Sequence, residues 1–328
     1  MGHDMRMLGV DAGGTSTRAV LTTAQGECIG YGVGGRGNPI SAGADRAADG
    51  VLGAIARALA PSSGTLADVA VITAAMAGQR AEEGEGGWLL ARLAAEGFSG
   101  RLTFESDLLA TYSSGSAEPF GYAIVAGTGA SAVRVSGGRI EATADGLGWL
   151  LGDRGSGFWI GHRVATAVVR DLDGAGAATS LTGAVLEHLG IAADETRREG
   201  RPRSLEQLVA SLYGMRPIEL AALAPLAFVG DDRVAERILR RAGQHLADSL
   251  GAVRTGPGPL VVGGSVLSRS GPVRDAFTER LGDAAAGLEV RPVVDGVVGA
   301  GLLALRAAGV AVSPITLDRL SETLAPLR

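Results

Sequence analysis

The chain has 328 residues, of which 46% are hydrophobic and 20% are charged, and its formal net charge is −5. This length is enough for two domains, each with its own hydrophobic core. The acidic balance, without clusters of lysine or arginine interleaved with aromatic residues, argues against a nucleic-acid partner. No apolar stretch reaches the roughly 18 residues that a bilayer-crossing helix needs, and the first residues lack the features of a signal peptide. We therefore expect a cytoplasmic protein without a membrane partner.

A single cysteine, Cys28, excludes an internal disulfide and any multi-cysteine metal or iron–sulfur site within one chain. We expect its side chain to be buried as a small hydrophobic group. The 52 glycines exceed ordinary usage, which is about 7% of residues. Such an excess indicates many tight turns or close approaches of backbone to ligand, although a GC-rich genome would also enrich glycine.

The first third of the chain alternates short β-like runs with helical stretches. Three predicted strands, joined by glycine-rich turns, cover residues 7–10, 17–23 and 28–33. A helix over 45–59, with apolar residues at helical spacing, precedes a buried strand at 69–73. The next predicted elements are a helix at 88–95, a strand at 102–105 and a helix that begins at 108. This order differs from the strict strand–helix alternation of a dinucleotide-binding fold.

The same organisation restarts after Pro119. Three further strands are predicted at 122–126, 131–135 and 139–143. A largely helical block follows from 156 to about 254, with a polar interruption at 194–203. The chain then returns to strand–helix alternation, with elements at 260–262, 273–281, 288–290 and 297–308. Two related halves are the economical interpretation of this repeat.

We therefore expect an α/β protein of two domains around a deep cleft. The first domain would cover residues 1–116, and the C-terminal helix over 312–328 could join it. The second domain would cover residues 117–311 and carry a helical insertion at about 156–254.

In the segment LGVDAGGTST, residues 8–17, a strand ends in an acid and turns through two glycines into hydroxyl-bearing residues. Glycine lets backbone N–H groups approach phosphate oxygens, and the threonine and serine hydroxyls add further donors. Asp11 could hold Mg²⁺ through water, because Mg²⁺ keeps part of its hydration shell. A plain β-hairpin would need no ligand, so both interpretations stay open.

Two later segments repeat this design. The segment VAGTGAS, residues 125–131, joins an apolar strand to a glycine turn and hydroxyls, and two such turns would suit a phosphate chain gripped between domains. The segment LVVGGSVL, residues 260–267, runs from a buried strand through a double glycine into a helix start. A flat or anionic ligand could approach that turn closely. Either segment alone could also be a simple turn that binds nothing.

The segment FESDLLA, residues 104–110, places Asp107 after a predicted strand, where a helix begins. A purely structural role would explain an acid at this position, because it can cap the helix or place a favourable charge at its N-terminus. The functional alternative is a base at an interdomain cleft. Phosphoryl transfer to an alcohol needs a carboxylate that orients the hydroxyl and accepts its proton, with Mg²⁺ to neutralise phosphate charge.

A run at residues 146–159, GLGWLLGDRGSGFW, holds five glycines, an acid, a serine and two tryptophans. We expect it to be too rich in glycine for a helix and too apolar for a solvated linker. Trp159 would be a core residue that opens the following helix, whereas Asp153 could bind sugar hydroxyls.

In this order, the five segments resemble the actin-like ATPase superfamily, which includes sugar kinases, heat-shock chaperones and actin. The Gly-Asp-x-Gly-Ser run at 152–156, followed by Trp159, looks more specifically like the N-acetylglucosamine kinase family of BadF/BadG-type ATPases, with its glucosamine and N-acetylmuramic acid kinase relatives. The resemblance covers residues 8 to about 301. It implies two ribonuclease H-like domains, ATP and Mg²⁺ as cofactors, a sugar substrate and a homodimer.

Residue roles follow from this resemblance alone. The residues that match the first phosphate loop, which holds the β/γ phosphates and Mg²⁺, are Asp11, Gly13, Gly14 and Thr15. Those that match the second phosphate loop and the adenosine motif are Gly127, Thr128, Gly129, Gly263, Gly264 and Ser265. Asp107 matches the catalytic base. The positions that face the sugar ring are Asn38, Gly78, Asp107 and Asp153.

The chain departs from the family pattern near the expected sugar site. Ile40 and Leu147 lie near positions where members that recognise an acetamide group carry aromatic residues, and Arg154 stands where Glu is common. The resemblance implies phosphorylation of the 6-hydroxyl of an amino sugar, N-acetylglucosamine or glucosamine. N-acetylmuramic acid and a neutral hexose remain alternative substrates. Two alternatives of another class are a non-catalytic nucleotide or sugar sensor on the same fold and an ATPase that drives a partner protein.

Overall fold

The computed structural model describes residues 5–77, 87–194 and 196–328. Within these ranges the chain forms two five-stranded sheets, a two-stranded hairpin and twelve α-helices, with several short 3₁₀ segments. Gly78, which the sequence places at the sugar site, lies outside the described residues. Among the described helices, none combines the length and apolarity that crossing a membrane requires.

The first sheet has the strand order β3-β2-β1-β4-β5. Its strands are β1 Arg6–Ala12, β2 Thr17–Thr23, β3 Cys28–Gly34, β4 Val69–Ala75 and β5 Arg101–Glu105. The first three strands pair antiparallel, whereas β4 runs parallel to β1 and β5 runs parallel to β4. Most side chains of β1 and β4 are buried, as their continuous apolar runs predict for strands covered on both faces.

Four helices belong to this part of the chain, namely α1 Pro39–Ala42, α2 Ala44–Leu59, α3 Gly87–Ala95 and α4 Asp107–Gly115. Helix α2 covers β2 and β3 with an apolar face on which Val51 and Ile55 are fully buried. Cys28 is also buried, as expected, and burial raises the pKa of its thiol to about 11. Its side chain therefore acts as a core group rather than as a reactive thiol.

The second sheet repeats the first, with the strand order β12-β11-β6-β7-β8. Its first strands are β6 Gly121–Ala126, β7 Ala130–Ser136 and β8 Arg139–Asp145, which pair antiparallel. The polar stretch expected at 194–203 contains a separate short hairpin, formed by β9 Arg197–Arg198 and β10 Arg201–Pro202. The sheet is completed by β11 Gly258–Gly263 and β12 Leu288–Pro292, with β11 parallel to both β6 and β12. Two related halves are thus confirmed at the level of topology.

The helices of the second half are α5 Gly148–Leu151, α6 Gly157–Leu172, α7 Leu181–His188, α8 Arg203–Gly214, α9 Arg233–Val253, α10 Pro272–Leu281, α11 Gly296–Ala307 and α12 Pro314–Leu324. The expectation that the run at 146–159 contains no helix is wrong. Three of its glycines instead have positive φ near two helix starts, since Gly146 precedes α5, Gly148 begins it, and Gly155 precedes α6. Trp159 is half-buried and packs against the core, near the start of α6.

Helices α4 and α11 lie between the two sheets. Helix α11 packs against β1, β2, β4 and α4. Its residues Ala300 and Leu303 share one apolar cluster with Val133 and Val261 of the second sheet. The two helices meet at Gly299, where a Cβ atom would lie 1.7 Å from the carbonyl oxygen of Ala110.

The packing of α11 bears on the expected domain boundaries. Residues 296–307 fall inside the expected second unit, 117–311, yet this helix also contacts the first sheet, and α12 packs on β3. Both C-terminal helices therefore contribute to the first sheet's core, in which Leu302 and Leu320 are fully buried. The division at residues 116 and 311 stays a prediction.

We predict that Gly299→Ala destabilises the fold by about 1–3 kcal/mol or more, because the added methyl group overlaps α4 at its closest contact with α11. Urea unfolding followed by circular dichroism measures the change. Gly251→Ala is the matched control, because Gly251 lies within helix α9 and a Cβ atom there meets nothing within 4 Å. The control should be neutral or stabilising, since alanine favours helix more than glycine does. Equal stability of both variants would contradict the close contact.

Candidate active site at the carboxyl ends of the two sheets

Asp11, Asp107 and the second and third glycine turns lie near the carboxyl ends of parallel strands. In the first sheet, Asp11 pairs in register with Ala75, and Ala75 pairs with Glu105, so β1, β4 and β5 end at one edge. In the second sheet, Val125 pairs with Gly263, so β6 and β11 also end together. Ligands of open α/β sheets bind outside the carboxyl ends of their strands. The loops at these two edges are therefore the candidate site.

Asp11, near the end of β1, is held in a chain of ion pairs. Its Oδ2 atom lies 2.6 Å from the Arg18 guanidinium, which also lies 3.0 Å from Asp295. Asp295 also forms an ion pair with Arg328 at 2.6 Å. Its side chain caps α11 by accepting a hydrogen bond from the backbone N–H of Val297. Burial raises the pKa of Asp11, and the carboxylates of Asp295 and Asp107 raise it further, whereas Arg18 lowers it.

Asp107 is the first residue of α4 and is partly buried. The capping hydroxyl of Ser106 and the Asp107 Oδ1 atom both accept from the backbone N–H of Leu108, at 3.1 and 3.0 Å. Burial raises the pKa of Asp107, and the hydrogen bonds from Leu108 and Ser106 oppose the rise. Asp11 lies against Gly296 at the start of α11, and α11 in turn meets α4 where Gly299 lies against Ala110, so Asp107 at the start of α4 lies on the same side of the first sheet as Asp11.

The first glycine turn is a hairpin between β1 and β2. The Gly13 N–H donates to the Ser16 carbonyl at 3.0 Å, and the Gly13 carbonyl accepts from the N–H of Gly37 at 3.1 Å. Thr15 is exposed at the tip of the turn. A Cβ atom on Gly14 would lie 3.3 Å from the Oγ atom of Ser41, so the start of α1 adjoins this turn.

The second and third glycine turns pack directly on each other. Gly264 has φ +85°, and a Cβ atom there would lie 2.3 Å from the carbonyl carbon of Ala126. The N–H of Val266 donates to the Ala126 carbonyl at 2.9 Å. The amino end of α6 holds the same turn, because the backbone N–H groups of Gly157 and Phe158 donate to the carbonyls of residues 127 and 128.

Asp153 lies against the second glycine turn. It is buried, with φ +55°, and its Oδ1 atom accepts from the backbone N–H of Ala130 at 3.1 Å. Burial raises the pKa of this carboxyl. In the part of the chain that is described, no hydrogen bond or ion pair joins Asp153 to Asp107. A role in holding sugar hydroxyls stays a prediction for Asp153.

Sequence reasoning missed Asp145, which positions this loop. Its Oδ1 and Oδ2 atoms accept from the backbone N–H groups of Asp153 at 2.6 Å and Arg154 at 2.9 Å. Asp145 ends β8 with φ +61°. An acid directly before a glycine at the end of a strand is the signal that could have found it, because Asp favours such turns.

Asn38 joins the first glycine turn to the segment that follows β4. Its side-chain amide is buried; Nδ2 donates to the Ala77 carbonyl at 3.0 Å, and Oδ1 accepts from the N–H of Ile40 at 2.9 Å. The Asn38 side chain thereby caps α1 and holds the residue directly before Gly78. Its predicted contact with a sugar stays a prediction.

A cavity of about 670 Å³ opens beside the second and third turns. This volume is typical of sites for small molecules and cofactors. Gly127, Thr128 and Ser265 line it, and their assignment to phosphate and adenosine stays a prediction. Lining residues that sequence reasoning missed include Phe228, Val229, Arg269 and Arg274. Phe228 and Val229 lie at the end of the 3₁₀ segment before α9, Arg269 lies in the loop before α10, and Arg274 lies in the first turn of α10, so no local pattern connects them.

The residues around Asp11 fit a magnesium ion that is held mainly by water and phosphate. No group of three His, Cys, Asp or Glu side chains that could hold a metal by themselves occurs among residues 5–77, 87–194 and 196–328. Mg²⁺ is commonly bound through one or two carboxylates together with substrate phosphates. Gly296 lies close against Asp11, where a Cβ atom would be 2.7 Å from Oδ2, so a larger residue at this position would crowd the carboxylate.

Comparison with known proteins gives the family. Residues 8–304 match the model of the BadF/BadG/BcrA/BcrD ATPase family. The chain belongs to this family. The match spans both sheets and includes each of the three glycine turns, so the family resemblance expected from the sequence is confirmed.

Two curated relatives carry sugar-kinase names. An N-acetyl-D-glucosamine kinase from Dictyostelium discoideum is 28% identical over 324 residues, which cover 91% of this chain and 97% of that protein. An N-acetylmuramic acid/N-acetylglucosamine kinase from Clostridium acetobutylicum is 29% identical over 163 residues, 48% of this chain and 49% of that protein.

Solved structures of similar proteins confirm the fold. A candidate N-acetylglucosamine kinase from Chromobacterium violaceum has a TM-score of 0.67 at 24% identity, with 92% of this chain and 99% of that chain covered. A ROK family glucokinase from Streptomyces griseus, in complex with glucose and AMPPNP, has a TM-score of 0.50 at 18% identity, with 92% and 99% covered. These likenesses confirm the expected α/β fold of two actin-like domains.

We predict that Gly264→Ala weakens ATP binding by roughly tenfold or more, because alanine is strained at this φ and its methyl group would separate the second and third turns. Isothermal titration calorimetry with a non-hydrolysable ATP analogue measures the affinity. Gly256→Ala, two residues before β11 and facing open space, is the matched control and should bind as the wild type does. Wild-type affinity in Gly264→Ala would place the nucleotide elsewhere.

Proposed function

We propose that the protein is an ATP-dependent kinase that phosphorylates the 6-hydroxyl of an amino sugar, N-acetylglucosamine or glucosamine. The observation that carries this proposal is the placement of the carboxylates Asp11 and Asp107 at one edge of the first sheet, beside the first glycine turn. The Dictyostelium relative, matched over nearly its whole length, is named as an N-acetyl-D-glucosamine kinase, which supports this substrate class.

In this proposal ATP lies between the glycine turns of the two halves. Its phosphates contact the first turn through Gly13, Gly14 and Thr15 and the second turn at residues 127–129. Adenosine enters the cavity of about 670 Å³ beside Gly263, Gly264 and Ser265. Asp11 would hold Mg²⁺ through water, and the bound ion neutralises charge on the β- and γ-phosphates.

Asp107 is the proposed general base. Its carboxylate accepts the proton of the sugar 6-hydroxyl as the oxygen attacks the γ-phosphorus in line. Burial raises the pKa of Asp107, which makes it a stronger base than an exposed aspartate. Asn38, Gly78 and Asp153 would hold the remaining sugar hydroxyls. Closure of the domains would exclude water, which otherwise competes for the γ-phosphate.

The identity of the sugar is a separate part of the proposal and depends on the residues around Asn38 and Asp153. Ile40 and Leu147 are exposed aliphatic residues beside Asn38 and the Asp153 loop. They offer an apolar surface without the flat face of an aromatic ring. N-acetylmuramic acid stays an alternative because the Clostridium relative, matched over half its length, is named for both sugars. We also propose a cytoplasmic homodimer.

Release of ADP from purified protein tests the function directly. With ATP and Mg²⁺, we expect ADP release that depends on an added amino sugar and exceeds the rates with glucose and without sugar. A sensor without catalytic activity would release no ADP under any condition. An ATPase that drives a partner protein would release ADP equally well without sugar, and either result would contradict the proposal.

We predict that Asp107→Asn lowers kcat by roughly 10²-fold or more, because the variant keeps the shape of the side chain but cannot accept the proton. ATP affinity should stay nearly unchanged. Asp45→Asn is the matched control, because Asp45 is also an acid in the first turn of a helix but is exposed outside the cleft. If both variants lose activity equally, or neither loses any, Asp107 is only a helix-terminal charge.

The acid limb of the pH profile provides an independent prediction. Asp107 must be ionised to accept a proton, so kcat falls as the pH drops through its raised pKa. The hydroxyl of Ser106 lowers this pKa, so Ser106→Ala should move the acid limb to higher pH. Ser313→Ala, which removes the cap of α12, is the control and should leave the limb in place. Superimposable profiles of Ser106→Ala and wild type would contradict this role.

A further inference from the structure

A second cavity, of about 630 Å³, lies in a groove between α6 and α9, outside the candidate active site. Its volume is that of a small-molecule site. Helix α6 contributes Arg163, Thr166, Ala167 and Arg170, at positions that share one helical face. Helix α9 contributes Val234, Arg237, Ile238, Arg241 and His245, which also share one face. The remaining lining residues are Arg154 and Trp159.

The groove concentrates positive charge in a protein whose net charge is −5. Five of its eleven lining residues are arginines, and none is acidic. None of these five guanidinium groups forms an ion pair with a carboxylate of the described residues. The next residue outside the groove differs, since Arg240 pairs with Glu279 at 2.8 Å. Arg237 and Arg241 lie four residues apart on one helix, where like charges destabilise a helix that has no counter-ion.

Aromatic rings and apolar side chains form the wall between the arginines. The Trp159 ring meets the His245 ring edge to face at 5.2 Å, and the Arg163 guanidinium lies 5.2 Å from the Trp159 centroid. Burial lowers the pKa of His245, and the nearby guanidinium groups of Arg154, Arg241 and Arg163 lower it further. The carboxylate of Asp248 has the opposite, raising effect on this pKa. Arginines from α9, α6 and the loop before α6 thus converge on one imidazole.

We propose that this groove binds a small molecule that carries two or more phosphate groups. Guanidinium groups bind phosphate oxygens through paired, charge-assisted hydrogen bonds, and several arginines around one cavity match several phosphate groups. The apolar side chains of Val234, Ile238 and Ala167 would pack against the body of the ligand. Bound phosphate would also remove the repulsion among the arginines.

The groove and the active site share helix α6. The amino end of α6 holds the second glycine turn, and the next turns of the same helix present Arg163 and Arg170 to the groove. Arg154 follows directly after Asp153, and both backbone N–H groups bind Asp145. The groove is therefore adjacent to the active site but has its own residues, and its ligand does not depend on the proposed kinase activity.

Calorimetric titration with inorganic pyrophosphate tests the proposal, with the nucleotide site filled by Mg²⁺ and a non-hydrolysable ATP analogue. We expect saturable binding to the wild type that weakens as ionic strength rises. Arg241→Gln should weaken binding by roughly tenfold, the loss expected for a charge-assisted hydrogen bond. Arg237→Gln is a second groove variant with the same expectation. Arg240→Gln, which removes the same charge from the neighbouring residue, should bind as the wild type does.

Three results would overturn the proposal. The first is that calorimetry detects no binding of pyrophosphate to wild-type protein whose folding has been checked by circular dichroism. The second is equal weakening in Arg240→Gln and Arg241→Gln, which would indicate a general effect of net charge. The third is a change of oligomeric state in Arg241→Gln, measured by analytical ultracentrifugation, that Arg240→Gln does not show. That outcome would make the groove an interface between copies of this chain.

Discussion

The contact between α4 and α11 is the constraint on which the rest of the structure depends. The two helices meet where Gly299 lies against the backbone of Ala110, and they separate two sheets of the same topology. Both helices begin at the edge where β1 ends, so Asp107, the first residue of α4, and Asp295, the N-cap of α11, come near Asp11. A larger residue at the contact would move the amino ends of both helices and with them the acidic groups of the candidate site.

These acidic groups are costly to keep together, and the structure offsets the cost locally. Arg18 pairs with Asp11 and Asp295, and backbone N–H groups at the helix starts donate hydrogen bonds to the carboxylates of Asp107 and Asp295. Burial nevertheless raises the pKa of Asp11 and Asp107. Perturbed carboxyl groups at a sheet edge, beside glycine turns, are typical of a site built for chemistry rather than for stability.

Local features of this chain were predictable, whereas features made by long-range packing were not. The strands and the three glycine turns follow from apolar runs that end in Gly-Gly or Gly-Thr-Gly, and the structure has them. The place of α11 between the sheets depends on residues far away in the sequence, at Ala110 and Val133. Phe228 and Arg269 meet only in the folded cavity. Asp145 acts through backbone groups of a loop whose path the sequence does not specify.

The most direct test of this account is the titration of Asp11 by carboxyl ¹³C NMR in the wild type and in Asp107→Asn. The account places both carboxylates in one cleft, where the charge of Asp107 raises the pKa of Asp11. Removing that charge should therefore lower the pKa of Asp11, because its ionised form is no longer repelled. An unchanged Asp11 titration in a folded variant would show that Asp107 does not face the site, and the proposed chemistry would lack its base.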